Sequence, residues 1–153
     1  MQKISPFLWF DSQAEEAANF YTSVFKNSKV GHISRYDAAS AKASGQPEDS
    51  VLTVSFQLEG QDFTALNGGP LFKFSEAISF SVECKDQAEI DYYWGKLSAR
   101  PESEQCGWLK DKFGLSWQIV PKNMDALIKS PKAMQALMQM KKIVIADLQK
   151  ASS

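Results

Sequence analysis

Histidine and cysteine are scarce in this sequence, no charge of one sign dominates, and no long apolar run occurs. Each shortage excludes something. The formal net charge is -1 and there is no Lys/Arg block, so the basic footprint that neutralises phosphates is missing and nucleic acid is not an expected partner. No apolar run approaches the roughly 20 residues of a membrane span. The opening stretch, MQKISPFLWF, has too short an apolar run and no cleavage-site pattern for a secretory leader. Cys84 and Cys106 are the two cysteines, too few for a disulfide framework in a chain that is long enough not to need one. Together these features predict a reduced, cytoplasmic protein with no membrane partner.

What is present is an ordinary globular composition. The 153 residues are 44% hydrophobic and 23% charged, enough for a single domain with a sizeable core. Lys3–Phe10 is an apolar run cut by Pro6 and reads as a strand near a sheet edge. Ser12-Gln13-Ala14-Glu15 has the form of a capping box, and Ala17, Phe20, Tyr21 and Val24 then fall on one helical stripe. Lys29–Tyr36 is a strand candidate. Asp37–Asp49, rich in Ala, Ser and Gly, reads as a loop, either a lid or a disordered excursion. Val51–Leu58 alternates as a strand, and Phe63–Leu66 returns beside it. Asn67-Gly68-Gly69-Pro70 breaks the pattern.

The motif then recurs. Ala77–Cys84 is a strand. Asp86-Gln87-Ala88-Glu89 repeats the capping signature with Asp as the cap, and Ile90, Tyr93, Trp94 and Leu97 form the stripe. Gln13 and Gln87 mark equivalent points about 74 residues apart. Between Leu97 and Gln105 there is little room for a strand matching Lys29–Tyr36, so one strand is expected to be reduced. Cys106–Asp111, a Lys112-Phe113-Gly114 turn and Leu115–Val120 form a hairpin, with Leu115, Trp117 and Ile119 on one face and Ser116, Gln118 and Val120 on the other. Asn123 is placed to cap a short helix. Pro131 suits the first turn of a last helix that extends toward Leu148.

A repeat of this kind fixes architecture. The expected fold class is α+β: two paired βαβββ modules, at about 1–70 and 71–121, forming a curved, cavity-enclosing sheet with outer helices, and a C-terminal helical tail at about 122–150. The duplicated unit, Asn19-Phe20-Tyr21 in the first helix, and Asp111-x-Phe-Gly-x-x-Trp117 resemble the vicinal oxygen chelate superfamily of glyoxalase I, bleomycin-resistance proteins and extradiol dioxygenases. More narrowly, the segments 66–74, 106–114 and 116–121 and the tail 138–143 resemble the PhnB-like group, whose members are often labelled 3-demethylubiquinone-9 3-methyltransferase-like.

That resemblance implies metal ligands, mostly His and Glu, on the first and last strands of each module. Here Gln118 stands at the glutamate position and Asn67 near the matching end of the first module. The two first strands offer only Ser5, Ser79 and Ser81. One amide and some hydroxyls hold a divalent transition metal poorly, so no metal site and no cofactor are expected. Methyl transfer by the common route needs a Gly-rich turn that opens a helix, whereas Asn67-Gly68-Gly69 runs into Pro70.

The remaining candidates are aromatic and polar. Trp9, Phe56, Trp108 and Trp117 with Asn67 and Gln118 are the expected lining of a cavity for a small organic ligand. The alternative is an enzyme of glyoxalase or dioxygenase type that uses an atypical metal site or Cys106, or the methyltransferase of the family label. Cys106 is the one catalytic candidate, against a plain reading as a small buried residue. His32 reads as a solvated strand residue, and Asp111 as a group bonding turn amides. A homodimer with twofold symmetry is expected.

Overall fold

The computed structural model describes residues 2–153 and divides into two compact units, one ending at Lys73 and the other running Phe74–Ser153.

In the first unit, β1 (Phe7–Phe10), α1 (Ala14–Val24), β2 (Lys29–Arg35), α2 (Ala38–Ser44), β3 (Val51–Leu58) and β4 (Gln61–Asn67) follow in order. The sheet order is β1-β4-β3-β2, with β1 parallel to β4 and the other pairs antiparallel. β1 starts just after Pro6 and lies at the edge, where a residue without an N–H is tolerated. Period-two alternation sends Val54, Phe56, Leu58, Phe63 and Ala65 to one buried face. Ala14, Ala17, Ala18, Tyr21 and Val24 of α1 are buried with them. Tyr21 stacks over Phe56 at 6.1 Å, and Phe56 over Phe63 at 5.3 Å. Burial of each such side chain contributes roughly 1.5–3 kcal/mol.

Two local expectations are corrected here. The Ser12 capping box does not form. The helix begins at Ala14, so Ser12 sits one residue before the cap position, which Gln13 occupies without a side-chain bond to the helix. The cap comes from β4: Asn67 Oδ1 accepts from the Ala14 N–H at 2.8 Å. The segment Asp37–Asp49 is not a plain loop, because it contains α2. Asp37 and Ser40 cap α2 reciprocally, and Gly45 closes it in the left-handed conformation at φ 75°. Ala38, Ala39, Ala41 and Ala43 supply high helix propensity between those signals.

The second unit holds β5 (Phe80–Cys84), α3 (Gln87–Leu97), a 3-10 turn at Pro101–Ser103, β6 (Trp108–Lys110), β7 (Ser116–Pro121), α4 (Met124–Leu127), α5 (Pro131–Met138) and α6 (Ile145–Ser152). The sheet order is β5-β7-β6. Asp86 caps α3 by accepting from the Glu89 N–H at 2.9 Å. The 3-10 turn and an isolated bridge between Gln105 and Trp108 stand where the first unit has β2, so the reduced strand is found as expected. No closed barrel forms among the described residues.

The C-terminal helix is broken in two rather than continuous to Leu148. The Met138, Met140 and Lys141 carbonyls accept from the Gln105 side chain, Cys106 N–H and Gly107 N–H, at 2.9, 2.8 and 2.8 Å. Those carbonyls are thereby used by a neighbouring segment instead of by the next helical turn. Gln87 fixes the chain after the break: its Nε2 donates to the Ile143 carbonyl at 3.0 Å and its Oε1 accepts from the Ile145 N–H at 2.8 Å. Leu127, Leu137, Ile143 and Leu148 form a small core beneath. Gly107, at φ 92°, is required there, since a Cβ would lie 2.8 Å from Ile143 Cδ1.

Candidate binding face

The β6–β7 hairpin is built around one buried carboxylate. Asp111 Oδ1 accepts from the Phe113 and Leu115 N–H groups at 2.9 and 3.1 Å, and Oδ2 accepts from Trp117 Nε1 at 2.9 Å. The turn-bonding role read for Asp111 is therefore present, with an indole added to it. This anchor holds Trp117 on the buried side, near Phe80 at 5.7 Å between ring centroids and on the same side as Ile119.

Alternation sends the next residues the other way. Trp108 lies opposite Gln118, and Lys110 opposite Ser116. Gln118 also pairs in register with Ser81 of β5. One sheet face of the second unit thus carries Trp108, Lys110, Ser116 and Gln118 together, open at Trp108 and buried at Ser116. Gln118 Nε2 donates to Ser79 Oγ at 2.9 Å, which fixes the amide and turns its carbonyl oxygen elsewhere. Trp108 is 39% exposed. The Lys110 ammonium pairs with the Glu76 carboxylate; the lysine side chain is 17% exposed and the glutamate 68%. The hydrogen bond and charge of Lys110 hold the Glu76 carboxyl below the usual carboxylate range. Ser116 is 1% exposed, and its hydroxyl has no hydrogen-bond partner among the described residues.

The first unit has an open face of its own. Trp9 lies there, with its Nε1 donating to the Gly69 carbonyl at 2.9 Å and its ring edge-on to Phe72 at 4.9 Å. Gly68 has no room for a side chain, because a Cβ would lie 2.3 Å from the Trp9 ring. The Asn67-Gly68-Gly69 turn thus closes over an indole and opens no helix. A groove of about 380 Å³ is lined by Phe56 and Phe63 together with Lys29, Ser55, Gln57 and Thr64. Beside it β2 bulges between Val30 and Ile33. Ser55 Oγ spans the bulge, accepting from the His32 N–H at 2.8 Å.

The structure therefore sorts the residues singled out by sequence. Trp108 and Gln118 come together on one face, and Trp9 lies on the open face of the other unit. Trp117 lies on the buried, helix-facing side, and Phe56, also buried, contributes to the lining of the first unit's groove. Asn67 is buried, its side chain bonded to Ala14 and Val51 and its carbonyl accepting from the Tyr36 hydroxyl at 2.5 Å. Cys106 does not begin the strand. It sits in the preceding turn at φ 52°, its Sγ accepting from Gln105 Nε2 at 3.2 Å. Its amide is drawn to Met140, which pulls the backbone out of extended geometry. Burial and the nearby Glu89 and Asp86 carboxylates push the Cys84 thiol up to about 12. His32 is exposed, as read.

Glu76 and Ser116 were not singled out by sequence. Period-two alternation through Trp108, Lys110, Ser116 and Gln118 was the signal for three of these four side chains acting with Ser116. Glu76 arrives from a turn and left no periodic trace. Among the described residues no group of three or more His, Cys, Asp or Glu side chains could hold a metal ion. Gln118 is tied to a serine hydroxyl, and the nearby Glu76 carboxylate is engaged by Lys110. This donor set does not fit the metal of the vicinal oxygen chelate enzymes.

Two small mixed sheets, each backed by a capped helix, together with this sequence pattern, define a protein of the PhnB-like type. The model of the 3-demethylubiquinone-9 3-methyltransferase family matches residues 2–120, and the chain belongs to that family. Among solved structures, the PhnB protein of Bacillus cereus is similar at 39% identity and TM-score 0.63, over 78% of this chain and 99% of that one. A Pseudomonas aeruginosa protein shares the fold at 16% identity and TM-score 0.57, over 79% of this chain and 98% of that one. An Arabidopsis thaliana gene product does so at 19% and 0.50, over 78% and 98%. No curated protein matches the chain. The tail helices α4–α6 lie beyond the family match.

Proposed function

We propose that the chain is a binding protein for a small organic ligand, taken up without a metal or other cofactor on the open face of the β6–β7 hairpin. The observation that carries this reading is the pairing of the part-exposed Trp108 ring with a Gln118 amide that Ser79 holds in place. An aromatic surface beside one oriented polar group is the usual composition of a small-molecule site. Trp9, with Phe72 edge-on to it, is proposed as a separate aromatic contact on the first unit's own face.

The test is a Gln118→Ala variant titrated with 2-naphthamide, a neutral planar probe. The amide is half-buried and bonded, among the described residues, to one serine, so the melting temperature is expected to hold while affinity falls at least fivefold. Unchanged affinity, with folding intact, rejects the site.

We also infer a homodimer and a reducing, cytoplasmic setting. Both cysteines are free thiols, and no helix among the described residues is long and apolar enough to cross a membrane. Ile4, Phe7, Leu71 and Phe72 in the first unit and Ile78 and Met138 in the second are exposed apolar side chains, of the kind that a second copy covers. Sedimentation equilibrium at micromolar concentration is expected to give twice the chain mass; a single-chain mass rejects the dimer.

A further inference from the structure

We infer that the ligand of this face is a planar organic carboxylate, bound with its ring on Trp108 and its acid group on Lys110 and Ser116, in the place that Glu76 fills in its absence. This rests on the hairpin-face reading above and adds the chemical class.

Three observations converge. First, Ser116 presents a hydroxyl that is almost wholly buried and unpartnered. Native folds seldom leave such a group unsatisfied, and those that remain call for an explanation such as a site awaiting a ligand. Second, Lys110 lies directly opposite Ser116 in the antiparallel ladder and on the same face, so ammonium and hydroxyl bracket one position. A half-dry ammonium demands an anion. It has one, but from Glu76, a turn residue whose side chain is mostly in solvent. A counter-ion carried on so exposed a side chain is open to exchange for a ligand carboxylate, which Ser116 then also contacts by donating its hydroxyl hydrogen. Third, the next same-face pair along the ladder is Trp108 and Gln118. Two residues along a strand is roughly 6.5 Å, comparable with the span between the acid group and the ring of a small fused-ring acid. The polar end and the aromatic end of the face are therefore spaced for one molecule. The Gln118 carbonyl oxygen, left over from the bond to Ser79, suits a donor on the ring.

The test compares 2-naphthoate with its neutral isostere 2-naphthamide on the full chain, by calorimetry and amide NMR. The expected result is naphthoate binding at least tenfold tighter than the amide. Lys110→Gln should abolish that preference and leave the amide unaffected. Glu76→Gln should tighten naphthoate several-fold by removing the competing anion, an effect that loss of a merely structural ion pair does not produce. Ser116→Ala should weaken naphthoate several-fold while raising the melting temperature, because it deletes an unsatisfied buried hydroxyl. Equal binding of acid and amide at this face overturns the carboxylate assignment and leaves the hairpin-face reading standing. Binding of neither compound overturns both. Weaker naphthoate binding in Glu76→Gln also overturns the assignment, and circular dichroism of each variant confirms that the comparison is between folded proteins.

Discussion

Asp111 shows how much one buried residue decides. Its carboxylate takes two turn amides and an indole N–H, so it sets the turn and the side of the sheet on which Trp117 lies. Hydrogen bonds to charged groups contribute about 1.5–3 kcal/mol each, and removing the acceptor strands its donors. Asp111→Ala is therefore expected to cost about 3 kcal/mol or more, measured by urea unfolding; a loss below about 1 kcal/mol contradicts the anchoring role. The bonding role was legible in the sequence because Asp before a glycine turn acts locally. The side taken by Trp117 was not. Alternation pairs it with Leu115 and Ile119 but does not say whether that face meets helices or solvent, and only packing decides. Phe56 is the same case, and Glu76 is the extreme one, since a turn residue has no periodicity to read.

At the scale of elements, the caps carry the lesson. The Ser-x-x-Glu signature of α1 was present, yet the helix is capped from 53 residues away by Asn67. A long-range cap ties the end of β4 to the start of α1 and fixes the helix on the sheet. Asn67→Ala is expected to destabilise by about 1–2 kcal/mol from the lost cap, with further cost from the Val51 bond. A thermal melt superimposing on that of the parent chain contradicts it. The Asp86 cap of α3 was legible because both partners are local. The segment holding α2 resembles a loop in sequence because Gly45 and Pro47 follow closely on its four alanines, and the Asp37 cap and Gly45 closure act only once the helix forms. The break between α5 and α6 was invisible because its cause, a strand-entry segment at Gln105–Gly107 taking helix carbonyls, lies some 33 residues earlier in the chain.

For the whole molecule, the duplicated strand–helix–strand plan was readable because hydrophobic period and cap recur together, and the two sheets carry it out with one strand reduced in the second unit. What a repeat does not encode is which open face binds. The first unit offers a groove over Ser55, Gln57 and Thr64 that Phe56 and Phe63 also line; the second offers an indole, an amide and a cation in register. In the second the indole is part-exposed and the amide is held by Ser79, so that face is the one proposed. The most direct measurement is an amide-resolved NMR titration of the ¹⁵N-labelled chain with 2-naphthamide. Uptake on the hairpin face predicts shifts concentrated at the Trp108 indole N–H, the Gln118 side-chain amide and Ser79. Shifts concentrated instead at Ser55, Gln57 and Thr64, or none at saturating probe, contradict it.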